Sequence, residues 1–445
     1  MIRQGMLKRS ISVFCAGIAA VTVVGALAGC GSSIADVAKD SAGATIIKFG
    51  INVANPAQQE PATDAIVKAF NKANKGKYKV EFDAADTETH NKNMKLAASD
   101  GSLPQVFWVE GSQVKEFNDA GVLLDLKDFL KQNQEVKTAL KGSEEAFKDG
   151  KGVQYGLPYQ SNVQGIFYNK SLFDEAGISY PTDDTTYDEF LAMVKKLKDS
   201  GVVPLSIGSK NSSFAMWEFN IWLSRFGWGD DIGSILAGQK TFADSGVSKA
   251  FTKVKGLAST GAFPDNMSTI EYFDAKQQFN EGNAAMFGTG QWDCAEFDKS
   301  LGDKIGFWWG PKFPDSKAMQ NIDMKVPSAP IAVAGTVADN DAIKEATYAF
   351  LKFYYSKDAA ALSYANSMFP ATSYAGLEPA NDKYAMTAMS EALNNGWKSP
   401  VSAPDLTVPS AVQSSLYDGL FGVMQGTYSP MEAVSKMDEA LANSK

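Results

Sequence analysis

Histidine and cysteine are scarce in this chain: one histidine and three cysteines among 445 residues. Nucleophile–histidine catalysis needs a base that titrates near neutrality, so His90 is the sole candidate. It sits in the polar run Asp86-Thr-Glu-Thr-His-Asn-Lys92, which reads as an exposed helix start. Zinc sites built on histidine and cysteine are excluded, and there is no CxxC pair for metal or redox work. No metal or cofactor is expected. Positive charge is also short, with 42 lysines and arginines against 51 acidic residues and a net charge of −9. Three of those bases, Arg3, Lys8 and Arg9, precede residue 10. An acidic body of this kind repels nucleic acid and anionic lipid, so neither is an expected partner. Beyond Ala26 no run of about 20 apolar residues occurs that could span a bilayer.

The beginning of the chain is apolar. After the basic start, Ile11 to Ala26 is almost wholly apolar or small, the length of a secretory h-region and short for a membrane span. Leu27-Ala-Gly-Cys30 closes the run and resembles the lipobox of bacterial lipoproteins. That resemblance implies cleavage before Cys30, lipidation of its sulfur, and anchoring to the outer face of the bacterial cell membrane. Residues 1–29 are then a signal peptide, and residues 30–45, small and Ala/Ser-rich, a flexible tether. A plain signal peptide with an incidental cysteine is the alternative. With Cys15 removed and Cys30 lipidated, Cys294 stands alone and no intramolecular disulfide forms.

Residues 30–445 are too many for one ordinary core, and two domains are expected. Ile46–Ile51 reads as a strand, and 57–74 as a helix with Ala62, Ile66, Ala69, Phe70 and Ala73 on one face. Tyr78–Phe82 alternates as a strand, Thr87–Ser99 reads as a helix, and Gln105–Val109 as a short strand. Strand and helix in alternation predict an α/β fold with parallel strands. Further on, Thr186 and Glu189 form a capping box, Asp341 opens a helix, and Ser429-Pro430 with Glu432 caps the last one.

Five stretches, in order, resemble the family 1 extracellular solute-binding proteins of ABC sugar importers, the group that includes maltose-binding protein. They are Leu103–Glu110, Tyr155–Tyr159 with Phe167–Phe173, Phe279–Phe287 with Gly290–Asp293, Ala349–Phe353, and Met368–Ala371. The resemblance spans about Ile46 to Lys445. It implies an α/β, two-lobed, periplasmic-binding-protein-like (type II) flytrap with discontinuous lobes joined by a hinge. One lobe is expected from 46–157 plus 327–371, the other from 158–326 plus 372–445. It further implies a monomeric receptor that captures an oligosaccharide in the cleft and delivers it to an ABC importer permease without catalysis. The family often has Asp after Pro-Tyr; here Gln160 stands instead.

A saccharide offers apolar ring faces that stack on aromatics and hydroxyls that need charged or polar partners. Of eight tryptophans, Trp292 beside Asp293 is placed by the resemblance as a stacking platform. Trp108 and Glu110 leave a strand at the expected cleft edge, and Trp217 precedes a helix. For each the alternative is an ordinary core aromatic or surface acid. Trp222 reads as core, Trp228 is undecided, and alternation along a strand points one of Trp308 and Trp309 inward and the other outward. Gln58, Gln59 and Glu60 follow the first strand, where open α/β sheets line their clefts. Tyr159, Gln160 and Asn162 straddle the first crossing, and Tyr374 follows the third. Arg225 reads as an ordinary salt-bridge residue, or as a fork to ligand hydroxyls. Three rival readings remain: a two-carboxylate glycosidase using Glu110, Asp293 or Glu296, the same flytrap holding a non-sugar cargo, and an interaction protein such as an adhesin with no small ligand.

Overall fold

Why Ile47, Phe49 and Ile51 sit on one strand becomes plain in the computed structural model, which describes residues 37–210 and 216–444. They are fully buried in the middle of a sheet. Cys30, the signal segment and the first part of the tether, residues 30–36, lie outside the described residues.

Ten strands are present among the described residues: β1 (Thr45–Ile51), β2 (Tyr78–Ala84), β3 (Val106–Trp108), β4 (Leu157–Pro158), β5 (Ser161–Asn169), β6 (Val203–Ser206), β7 (Ala284–Gly290), β8 (Ile305–Trp308), β9 (Lys325–Pro327) and β10 (Pro330–Val333). The first sheet runs β2-β1-β3-β10-β4, and the second runs β6-β7-β5-β8 with β9 paired to the start of β5. β1 lies parallel to β2 and β3, while β10 enters antiparallel between β3 and β4. In the second sheet β5 is antiparallel to β7 and β8, and β6 is parallel to β7.

Each sheet has its own hydrophobic core. The first gathers Phe49, Phe70, Phe107, Val333, Phe350 and Met368; the second gathers Val163, Phe167, Trp222, Phe251, Phe369 and Leu441. The chain passes between cores three times, at 159–163, 326–331 and 368–369. Two of these crossings are short strand-to-strand steps, β4 to β5 and β9 to β10.

Local chemistry explains the elements. The boxes at Thr186 and Ser429 form as read, with Glu189 and Glu432 returning a bond to the cap backbone. The helix expected over 57–74 is instead two, Pro56–Gln59 and Pro61–Ala73. Pro61 has no N–H to donate and forces Glu60 out of the helical region, to φ −133° and ψ 59°.

His90 is not a surface residue but 1% exposed. It and Met94 form the buried face of the helix Thr87–Asp100. Its Nε2 lies 2.9 Å from the Trp108 carbonyl oxygen, and burial pushes its pKa down. Nor do Trp308 and Trp309 face opposite ways into core and solvent; both are buried. Helices cover both faces of this sheet, and each indole N–H finds a carbonyl, of Thr182 at 2.9 Å and Ala392 at 3.1 Å. No helix among the described residues is long and apolar enough to cross a membrane.

Candidate functional site

The C-terminal ends of parallel strands collect loops at one edge of an open sheet. At the first sheet that edge carries Gln58, Gln59 and Glu60 after β1, and Glu110 after β3. At the second it carries Gln291, Trp292 and Asp293 after β7. The β4–β5 crossing supplies Tyr159, Gln160 and Asn162.

Trp292 is the most completely organised member. Its ring is 36% exposed. Its indole N–H donates to the Tyr272 hydroxyl at 3.1 Å, and that hydroxyl donates to Asp293. Trp217, half-buried at the start of the helix Trp217–Arg225, packs edge-on against Trp292 at 4.9 Å and against Tyr272 at 5.3 Å. Asp293 is 3% exposed. One of its oxygens takes Thr289 at 2.7 Å as well as Tyr272; the other takes the Lys276 ammonium at 3.1 Å. Burial pushes Asp293 up and Lys276 draws it back. Both oxygens are thus committed within the protein, so Asp293 holds Trp292 in place rather than presenting a free carboxylate. Lys276 also pairs with Glu296 at 2.9 Å.

Beside Trp217, Glu218 is 1% exposed and lies against Gly288 of β7, where any Cβ would overlap its carboxyl group. Oε2 of Glu218 has no partner, and burial lifts its pKa to about 8.

The crossing residues are tightly held. Tyr159 is 2% exposed, and its hydroxyl is shared between Thr63 at 2.5 Å and Glu60 at 3.1 Å. Burial lifts Glu60 to about 7, with the Tyr159 hydrogen bond opposing. Gln160 exchanges backbone bonds with Ser328 on the opposite crossing, its N–H to Oγ at 3.0 Å and its carbonyl to the Ser328 N–H at 2.9 Å. The Asn162 side-chain oxygen accepts from Gln291 at 3.3 Å, and Gln291 in turn accepts the Val163 N–H at 2.7 Å. Gln58 and Gln59 are exposed. Gln59 accepts the Asn55 N–H at 2.8 Å. Trp108 is half-buried with its ring edge-on to His90 at 5.9 Å. Tyr374 donates to the Tyr355 carbonyl at 2.7 Å, which ties it to the first core.

Glu110 is half-buried, raised by burial and by the charge of Asp405, which belongs to the other core's side of the chain. Asp405 accepts the Tyr417 hydroxyl at 2.9 Å on one oxygen, while its other oxygen has no partner. A cavity of about 190 Å³ beside the crossings is lined by Glu110, Tyr155, Ser328, Ser402 and Leu406. Asp405, Tyr417, Tyr272, Gln291 and Glu218 escape sequence reasoning: each lies on an ordinary helix or loop, and only the fold brings it to this edge.

Arg225 serves neither role expected of it. It is fully buried and donates to the carbonyls of Gly310 at 2.5 Å, Pro311 at 2.8 Å and Gln320 at 3.0 Å, pinning the 310–320 loop. Trp222 is buried, and Trp228 is buried with its N–H on Thr407 at 2.8 Å. No cluster of metal-ligating side chains occurs among the described residues.

Two sheets with separate cores, joined by three crossings and edged with aromatic and polar side chains, define a two-lobed binding-protein fold. Residues 54–361 match the profile of the bacterial extracellular solute-binding proteins, and the chain belongs to that family. It is 25% identical over 291 residues to a multiple sugar-binding protein of Streptococcus mutans, covering 62% of this chain and 63% of that one. It is 30% identical over 121 residues to a probable sugar-binding periplasmic protein of Mesorhizobium japonicum, covering 26% of this chain and 28% of that one. In both cases less than two thirds of the relative's length is matched. The fold resembles a chitin oligosaccharide binding protein (TM-score 0.74, 21% identical, 89% of this chain and 98% of the other). It also resembles RafE in complex with raffinose (TM-score 0.68, 20% identical, 90% of this chain and 99% of the other).

Proposed function

We propose that this chain is a lipid-anchored receptor that captures an oligosaccharide between two lobes and hands it to the permease of an ABC importer, without catalysis. The observation that carries the reading is Trp292: a large aromatic face left partly in solvent, yet fixed by Trp217, Tyr272 and the buried Asp293. A ring fixed in advance loses little freedom when a sugar stacks on it. The family and the sugar-binding relatives support the same reading. The lobes in this proposal are 46–157 plus 327–371 and 158–326 plus 372–445. Gln58, Gln59, Trp108 and Glu110 face the cleft or brace it from the first lobe, and Tyr159 does so from the first crossing. Gln160, Asn162, Trp217, Trp292, Asp293 and Tyr374 do so from the crossings and the second lobe. Ligand touching both lobes stabilises the closed arrangement in proportion to its extra contacts there. Cys30 carries the lipid, and the receptor works as a monomer on the outer face of the cell membrane.

The glycosidase alternative loses ground at Asp293 and Glu296, since Lys276 holds both. The test is titration of the protein lacking residues 1–30 with a panel of oligosaccharides, read by tryptophan fluorescence and melting temperature. A saturable signal, a raised melting temperature and loss of both in Trp292→Ala are expected. Silence across a broad panel sinks the sugar reading, and hydrolysis of a labelled oligosaccharide sinks the non-catalytic one.

A further inference from the structure

A second cavity, of about 360 Å³, lies at the crossings; it adjoins the smaller one at Ala146, Pro327 and Val401, and Trp108, Trp217 and Trp292 take no part in its lining. Its walls come from every part of the hinge region. Lys141 and Ser143 belong to the first lobe's side, Ser161 and Lys325 to the paired strands β5 and β9, Ser373 to the third crossing, and Ser399 to the second lobe's side. No carboxylate lines it.

Two lysines, Lys141 and Lys325, line it in a chain that otherwise has acids to spare. Lys68, Lys92, Lys276, Lys312 and Lys352 each sit within ion-pair distance of a carboxylate. Among the described residues, neither Lys141 nor Lys325 has an ion-pair or hydrogen-bond partner for its ammonium. Asp323 is the nearest negative influence on Lys325, but its carboxylate is engaged by the Lys325 backbone N–H at 3.1 Å and by the Ser399 side chain. Burial lowers the Lys325 pKa; Asp323 opposes the shift and the charge of Lys141 adds to it. Lys141 is also held in the left-handed backbone region at φ 52°, where the helix Gln134–Leu140 ends. Glycine occupies such a position without steric cost. The chain keeps a charged side chain there instead, immediately before Gly142.

We propose that this cavity is a separate binding site for a small soluble oxyanion, phosphate or the phosphoryl or sulfo group of a metabolite, held between Lys141 and Lys325 with the Ser373 hydroxyl as a further donor. Lys325 is half-buried and Lys141 exposed at the rim; like charges facing one cavity repel each other, and a dianion between them relieves that repulsion and supplies acceptors to both. Because Lys141 belongs to the first lobe's side and Lys325 to the second's, an anion held by both ties the two lobes together at the hinge.

Inorganic phosphate and sulfate are the probes, titrated into the full chain in detergent with sodium chloride at matched ionic strength as control. Calorimetry and melting temperature give the readout. A saturable rise in melting temperature with phosphate, absent with chloride, is expected. Lys325→Met weakens the apparent affinity roughly tenfold or more, and Lys325→Arg restores most of it. Lys141→Gly is the decisive variant. Relief of the left-handed lysine raises its melting temperature without phosphate, while the response to phosphate is lost. A titration that does not saturate, or a phosphate response that survives both Lys325→Met and Lys141→Gly, overturns the assignment.

Discussion

Asp293 shows how one buried carboxylate organises its surroundings. It accepts from Tyr272, Thr289 and Lys276 together, and through Tyr272 it fixes the edge of Trp292. Removing it leaves Lys276 buried with only the more exposed Glu296, so Asp293→Ala lowers folding stability by roughly 3 kcal/mol, read by urea denaturation. The same change frees Trp292, weakening the proposed oligosaccharide binding and shifting tryptophan emission to the red. Trp292→Ala has the opposite balance: binding falls at least as far, but the partly exposed ring contributes little to the fold.

Glu218 gives a pH signature. Burial lifts it from an ordinary 4.5 to about 8, so between those values the folded chain keeps a proton that the unfolded chain has already released. Stability therefore falls as pH rises through that window, at on the order of 1 kcal/mol per pH unit from this group alone. Glu60, lifted to about 7, adds to the decline over its lower part. Chemical denaturation at stepped pH detects the slope, and Glu218→Gln, with no proton to lose, flattens it.

At the scale of elements, legibility in the sequence follows the range of the interaction. Both helix boxes, at Thr186 and Ser429, are visible in the sequence because cap and partner sit three residues apart. Ser429→Ala removes the cap bond to the Glu432 N–H and costs about 1 kcal/mol, measurable as a lowered melting temperature. Arg225 is illegible by the same logic. Its carbonyl partners lie 85 to 95 residues away, and nothing near it in sequence marks it as a loop anchor. Replacing it with Met orphans those buried carbonyls and destabilises the chain by more than 2 kcal/mol on the same assay. His90 misleads because its neighbours in sequence are polar while its neighbours in space are Gly50 and Trp108. The split at Pro61 was available from the residue itself, and the apolar spacing on either side hides it.

At the scale of the molecule, the α/β alternation was readable from β1 to β3, because each element there follows its neighbour along the chain. The second sheet was not. β5 pairs with β7, β8 and β9 across gaps of more than a hundred residues and β6 with β7 across about eighty, and β7 and β8 are buried on both faces, so period-two alternation is absent there. The three-crossing arrangement predicts that the radius of gyration, measured by small-angle scattering, falls when a saturating ligand closes the lobes; an unchanged radius with saturable binding contradicts hinge closure.

β10 inserts between β3 and β4, although some two hundred residues separate it from β3. Until Pro330–Val333 exists, β3 has no partner on that side and β4 has none at all. A chain emerging from its N-terminus accordingly cannot complete its first lobe before most of the second has been made. Early compaction is thermodynamically unrewarded, because the loop that joins β3 to β10 must close first. The wiring that builds the hinge is therefore also a timer: it keeps the newly made chain open, and threadable through a narrow pore, until nearly all of it is available.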